Sequence, residues 1–176
     1  HSIELQIPWI QHCLGADDQG RHVPVFGALV HDPTVNQGES YDGQGLAMDV
    51  FIDALKKALE QVGGTTLFVS SADLSHVGPA FGDKQPLVGD GPEVEGARNK
   101  TVRHDQDLLG HVQKANVDDL IGSVAWQGNP TRWCSIGNMV AMLKLTGADS
   151  VKLLNYAAAL DPQGLSMVSS AAMVTE

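Results

Sequence analysis

Two apolar runs bracket one amphipathic stretch in the first half of this chain, and that order restricts the folds open to it. Residues 22–30, HVPVFGALV, and residues 65–71, TTLFVSS, are largely apolar and rich in β-branched side chains. This is the pattern of a strand buried on both faces. Between them Ala47, Phe51, Ala54, Leu55, Ala58, Leu59 and Val62 recur at helical spacing, and Gly63 with Gly64 stops the helix. Strand, helix, strand in this order predicts a parallel pair joined by a crossover. The expected class is α/β, with a central, mostly parallel sheet flanked by helices.

The other elements follow from the same signals. Residues 2–12 read as a short helix with Pro8 inside it, and residues 31–45 as a loop rich in Gly, Pro, Asn and Asp. Residues 77–97 form an irregular Gly- and Pro-rich excursion, of a length typical of lids and binding loops. Helices are predicted at about Ala97–His111, Val117–Val124 and Trp133–Leu145, and strands in VKLLNYAAAL and GLSMVSSAAMVTE. No repeat or linker divides the chain, so residues 1–176 are expected to form a single α/β domain. Its opening on His1, in what reads as the middle of an amphipathic stretch, predicts the C-terminal portion of a longer one.

Charge and cysteine usage narrow the function. A net charge of -10 repels phosphate backbones, and the densest basic cluster is the pair Lys56 and Lys57, so nucleic-acid binding is disfavoured. No apolar run approaches the ~18 residues of a transmembrane helix, so no membrane partner is expected. Cys13 and Cys134 stand far apart with no visible secretory signal, which predicts reduced thiols and a cytoplasmic location.

The stretch FVSSADLSHVG, residues 68–78, is the richest in chemistry. A buried strand there runs into Ser70, Ser71, Asp73, Ser75 and His76, and parallel α/β sheets bind ligands beyond the carboxyl ends of their strands. His76 stands where a general base or ligand would, with Asp73 near enough to orient its ring. The alternative is a turn capped by Asp73 with His76 merely exposed. Cys134 falls at a predicted helix start with Thr131 as N-cap and Arg132 adjacent, a setting that lowers a thiol's pKa. The alternative there is a small buried hydrophobe, which is also the reading for Cys13. His104, Asp107 and His111 share one helical stripe, most simply a solvated face. Walker, G-x-G-x-x-G, G-x-S-x-G and paired C-x-x-C motifs are absent, so NTPase, dinucleotide, α/β-hydrolase and zinc-ribbon readings lack support.

Taken in order, HSIELQIPWI, LFVSSADLSH, TRWCSIG, LLNYAA and SSAAMVT resemble the Memo family across nearly the whole chain. That family is similar in fold to class III extradiol dioxygenases of the LigB type. The resemblance implies a metal-dependent oxidoreductase with a mononuclear iron(II) or copper site, held by Cys134 and by two histidines from an N-terminal half that this sequence lacks. Iron(II) suits dioxygen activation, and copper suits a thiolate with imidazoles. The resemblance further implies His76 as catalytic base, Asp73 beside it, and His1 lining the substrate side. The ligand would be a small molecule or a peptide. The rival function is a non-catalytic metal-handling or peptide-binding protein using the same pocket.

Overall fold

The computed structural model describes residues 2–39 and 43–176. The backbone packs as two units, residues 1–30 and 31–176. In the first, a 3-10 turn at Glu4–Gln6 leads into α1, Ile7–Leu14. Pro8 occupies the first turn, where an amide hydrogen has no intrahelical partner to lose. Gly15 ends the helix at φ 68° and donates to Gln11 O at 2.9 Å. Residues 22–30 form no strand, and Phe26 and Leu29 are exposed. The expected first strand is therefore corrected: its apolar content marks a segment able to be buried, but no ladder among the described residues gives it a partner.

The second unit carries the remaining elements. Helix α2, Met48–Val62, turns Met48 and Ile52 inward and ends where Gly63, at φ 69°, donates to Leu59 O. Strand β1 is the short His76–Val77. Helix α3, Pro92–Gln113, is longer than its apolar spacing predicts, because Gly91 and Pro92 start it a turn early inside the expected loop. Helix α4, Val117–Gln127, opens on Asn116, whose side chain accepts the Asp119 N–H at 3.1 Å. Helix α5, Ile136–Thr146, ends at Gly147. Strands β2, Val151–Leu160, and β3, Met167–Thr175, make an antiparallel hairpin with an irregularity between Leu153 and Asn155.

The sheet order is β1-β3-β2, and β1 is also antiparallel to β3, pairing His76 with Val168 and Val77 with Met167. The α/β class holds; among the described residues the sheet is this three-stranded antiparallel one, and the expected parallel pairing is not seen. Residues 65–71, the second expected strand, have no ladder among the described residues. The chain joins β3 at Leu74, whose N–H donates to Ser169 O at 2.8 Å while the Ser169 N–H donates to Ser75 O at 3.0 Å. Before that point an apolar cavity of about 470 Å³ is lined from both sides, by Leu67, Phe68 and Leu74, by Ala171 and Met173, and by Met139 of α5.

Leu74, Leu108, Leu109, Leu120, Val124, Trp133, Ile136 and Val140 form the most deeply buried apolar set, where α3, α4 and α5 meet the sheet. Gly137 permits a close approach: a Cβ there would lie 2.1 Å from His31 O. The backbone at residue 31 therefore rests directly on the first turn of α5.

Candidate functional site

The short β1 strand and the turn before α5 bring the site residues together. The backbone N–H of Cys134 donates to Leu74 O at 3.3 Å, and His76 Nδ1 lies 3.2 Å from the same oxygen. The Cys134 thiol donates to Asp73 O at 3.1 Å. Asp73 Oδ2 in turn stands 3.8 Å from His76 Nε2. Asp73, His76 and Cys134, distant in sequence, thus meet in one corner. His1 lies outside the described residues.

The surroundings of the His76 ring assign its proton. Nδ1 faces two carbonyls, Leu74 O at 3.2 Å and Arg132 O at 3.3 Å, and a carbonyl can only accept. The neutral ring therefore carries its hydrogen on Nδ1 and leaves the Nε2 lone pair toward Asp73. Phe81 meets the ring edge-on at a centroid distance of 5.4 Å. The His76 backbone is held from both sides, donating to Thr131 O at 2.7 Å and accepting from Arg132 Nε at 2.9 Å.

Arg132 fastens the corner further. Its guanidinium pairs with Asp83 Oδ2 at 2.5 Å and lies 5.8 Å from the Phe81 centroid, and the same Asp83 oxygen accepts the Gly78 N–H at 2.7 Å. Burial of Asp83 works against ionisation, but the Arg132 and Gly78 hydrogen bonds and the Arg132 charge outweigh it and hold the carboxyl below its ordinary range. Arg132 keeps this position with φ at 57°, a left-handed backbone uncommon for a residue with a side chain. Asn129 steadies the following residue, accepting the Trp133 N–H at 2.7 Å and donating to Trp133 O at 3.0 Å.

Cys134 departs from expectation. Helix α5 begins at Ile136 with Ser135 at its N-cap, so the thiol precedes the helix and is committed to the Asp73 carbonyl. Cys134 is an exposed residue, but partial desolvation of its sulfur raises the thiol's pKa and the Asp73 charge adds to this, while backbone hydrogen bonding acts in the opposite sense. The lowered pKa expected from the helix terminus is corrected to a raised one. Thr131 caps no helix: its carbonyl serves His76, and its buried Oγ1 has no partner among the described residues.

Beneath the corner lies a residue that sequence reading missed. Asp105 of α3 is fully buried and accepts four hydrogen bonds. Ser75 Oγ and Trp133 Nε1 each donate to Oδ1 at 2.5 Å. Tyr156 OH at 2.6 Å and Ser169 Oγ at 2.5 Å donate to Oδ2. Ser169 Oγ also accepts the Ser75 N–H at 3.0 Å. Burial first, and then the bond to Asp105, push the Tyr156 phenol well above its usual pKa.

His111 Nε2 meets Ser123 Oγ at 3.1 Å and Nδ1 stands 3.9 Å from Asp119 Oδ2. This has the outline of a nucleophilic triad, but the second distance is too long for a hydrogen bond and Ser123 lies inside α4, whose amides are already bonded. It ties α3 to α4. His104 Nε2 is buried with no close partner among the described residues, and burial lowers that ring's pKa although Asp105, Asp107 and a hydrogen bond with Gln127 oppose the shift. His22 and His31 each meet a loop carbonyl, Gly15 O and Gly38 O.

A family model described as Memo-like protein matches residues 1–174 of this 176-residue chain. The chain belongs to the Memo-like family. A comparison with curated proteins gives no match. In this Memo-like chain both cysteines are free thiols, and among the described residues no helix is long and apolar enough to cross a membrane. No three His, Cys, Asp or Glu side chains among the described residues converge as metal donors. Asp73, His76 and Cys134 share the corner, but with the thiol turned to the Asp73 carbonyl their donor atoms do not converge on one point, so these three do not fit a closed metal centre.

Proposed function

We propose that the Asp73, His76 and Cys134 corner is the acid–base end of an oxidoreductase pocket, and that His76 Nε2 exchanges a proton with a small-molecule ligand. The observation that supports this most is the double contact at His76 Nδ1, which fixes the ring as a donor inward and a proton acceptor outward. A proton taken at Nε2 comes to rest beside the Asp73 carboxylate, 3.8 Å away. Phe81 covers one edge of the ring and limits water there. Cys134 is the thiol closest to this chemistry, held protonated until a stronger acceptor than the Asp73 carbonyl displaces it.

Iron(II) or copper, the relation to extradiol dioxygenases, a substrate role for His1 and a cytoplasmic setting enter this reading through the family resemblance. The donors present here do not complete a metal site, and the proton exchange at His76 stands without one. The test is dioxygen uptake by the iron(II)- or copper-loaded protein across a panel of catechols. Uptake that is lost in His76→Ala, with stability changed by less than about 1 kcal/mol as for most replacements away from the core, supports the reading. Full uptake in His76→Ala sinks it. No uptake in the wild type across the panel favours the non-catalytic metal-handling or peptide-binding alternative.

A further inference from the structure

We propose that Asp105 is the positioning residue of the site, holding His76 and Cys134 in register through the residues that immediately precede each of them. The inference rests on the acid–base reading of that corner and deepens it. One carboxylate oxygen, Asp105 Oδ1, accepts from both Ser75 Oγ and Trp133 Nε1, each at 2.5 Å. Ser75 precedes His76 and Trp133 precedes Cys134. These two segments come from opposite ends of the α3–α4 excursion and share no regular ladder among the described residues. Their direct links are the contacts at the corner itself, such as Cys134 N–H on Leu74 O and His76 N–H on Thr131 O. Those contacts hold the corner's own atoms, and the carboxylate fixes the two backbones from beneath.

The chemistry suits that role. A carboxylate is an acceptor with about four lone-pair sites, and here four donors take them, so the group has little freedom to turn. The other oxygen reaches β2 through Tyr156 and β3 through Ser169. Ser169 locks Ser75 a second time by accepting its N–H. An asparagine at 105 would place an NH2 against donors, and an apolar residue would leave four polar groups facing nothing.

Replacing single donors separates positioning from simple support. Ser75→Ala, Trp133→Phe and Tyr156→Phe each remove one hydrogen bond to Asp105 and leave it three. Tyr156 stands on β2, with no site residue beside it in the chain. Two readouts need neither substrate nor metal, in a Cys13→Ser background: the tautomer of the His76 ring by 15N NMR, and the rate of Cys134 alkylation by iodoacetamide at fixed pH. Ser75→Ala is expected to mix the His76 tautomers, and Trp133→Phe to change Cys134 alkylation by roughly three- to ten-fold, the factor of one lost hydrogen bond. Tyr156→Phe is expected to lower the unfolding midpoint while leaving both readouts within about two-fold, less than that factor. The proposal is overturned if Tyr156→Phe moves both readouts as far as the other two variants do, or if none of the three moves either. Because turnover is not measured, a failed dioxygen assay leaves this result standing, and a failure here leaves the acid–base role of His76 to its own test.

Discussion

Residues 65–71 and residues 74–77 lie at the two ends of one short stretch of chain, yet they meet opposite fates. Leu67 and Val69 are 69% and 49% exposed, and their segment joins no ladder among the described residues. Leu74 and Ser75 are 1% and 0% exposed, and the chain there is bonded to β3 through Ser169 and to α3 through Asp105. Apolar content does not explain it, since Leu67, Phe68 and Val69 belong to the first end and only Leu74 and Val77 to the second. What separates them is a set of directional partners, since a strand without a ladder leaves its amides to water however apolar its side chains are. The site sits at the anchored end.

The largest break in this contrast comes from the anchor itself. Asp105→Ala strands the Ser75, Trp133, Tyr156 and Ser169 donors in the interior. Each unsatisfied buried donor costs about 1 kcal/mol or more, so a loss of at least ~3 kcal/mol is expected. Urea unfolding followed by tryptophan fluorescence measures it. A loss below ~1 kcal/mol would mean that the hub does not distinguish the two ends.

Next in size is Leu74→Ala. Leu74 lines the apolar cavity and is packed to 1% exposure, so truncation is expected to cost about 2–5 kcal/mol by the same urea assay. Its amide, bonded to Ser169 O, is expected to exchange with solvent far more slowly than the amides of Leu67 and Val69. Equal exchange at both ends would show that the two are not held differently.

The visibility of these features in the sequence follows the same division between local and distant causes. Helix α2 was legible because its spacing and Gly63 are local signals, and β2 and β3 because two strand-like runs flank a short turn. The cluster of Asp73 and His76 was legible as polar residues ending an apolar run. Asp105 was not, because its four donors lie at 75, 133, 156 and 169 and no periodicity links them to it. Residues 22–30 and 65–71 were misread for a related reason: apolar runs record a capacity for burial, and pairing is decided elsewhere in the chain. The thiol of Cys134 was assigned the wrong direction of shift because a rule about helix termini was applied to a residue whose decisive contact is the Asp73 carbonyl.

Arg132 offers a smaller and sharper test of the anchored end. Arg132→Ala removes the Asp83 pair and the bond to His76 O, partly exposed interactions worth about 1–2 kcal/mol together. Arg132→Gly loses the same contacts but relieves the left-handed backbone, so it is expected to be about 1 kcal/mol more stable than the alanine variant. The Asp83 pair also sets an acid limit. A carboxyl whose folded pKa lies below its unfolded value contributes stability above about pH 4, and that contribution is lost as pH falls through the folded value. Asp83→Asn is expected to be less stable at neutral pH and to flatten the stability curve below pH ~4. An unchanged acid slope would place the titration elsewhere.

The smallest expected effect belongs to the unanchored end. Leu67 is 69% exposed, so Leu67→Ser removes little apolar area that folding had taken from water. The expected change in stability is within ~0.5 kcal/mol, the range of ordinary surface replacements. The same substitution is also informative about the site, because Leu67 borders the apolar cavity while Asp73, His76 and Cys134 do not. If that cavity and the polar corner are independent, Cys134 alkylation and the His76 tautomer should be unmoved by Leu67→Ser. A shift in either, with stability unchanged, would show that residues 65–71 act on the site despite having no ladder, and that anchoring by Asp105 and Ser169 is not what separates the two ends.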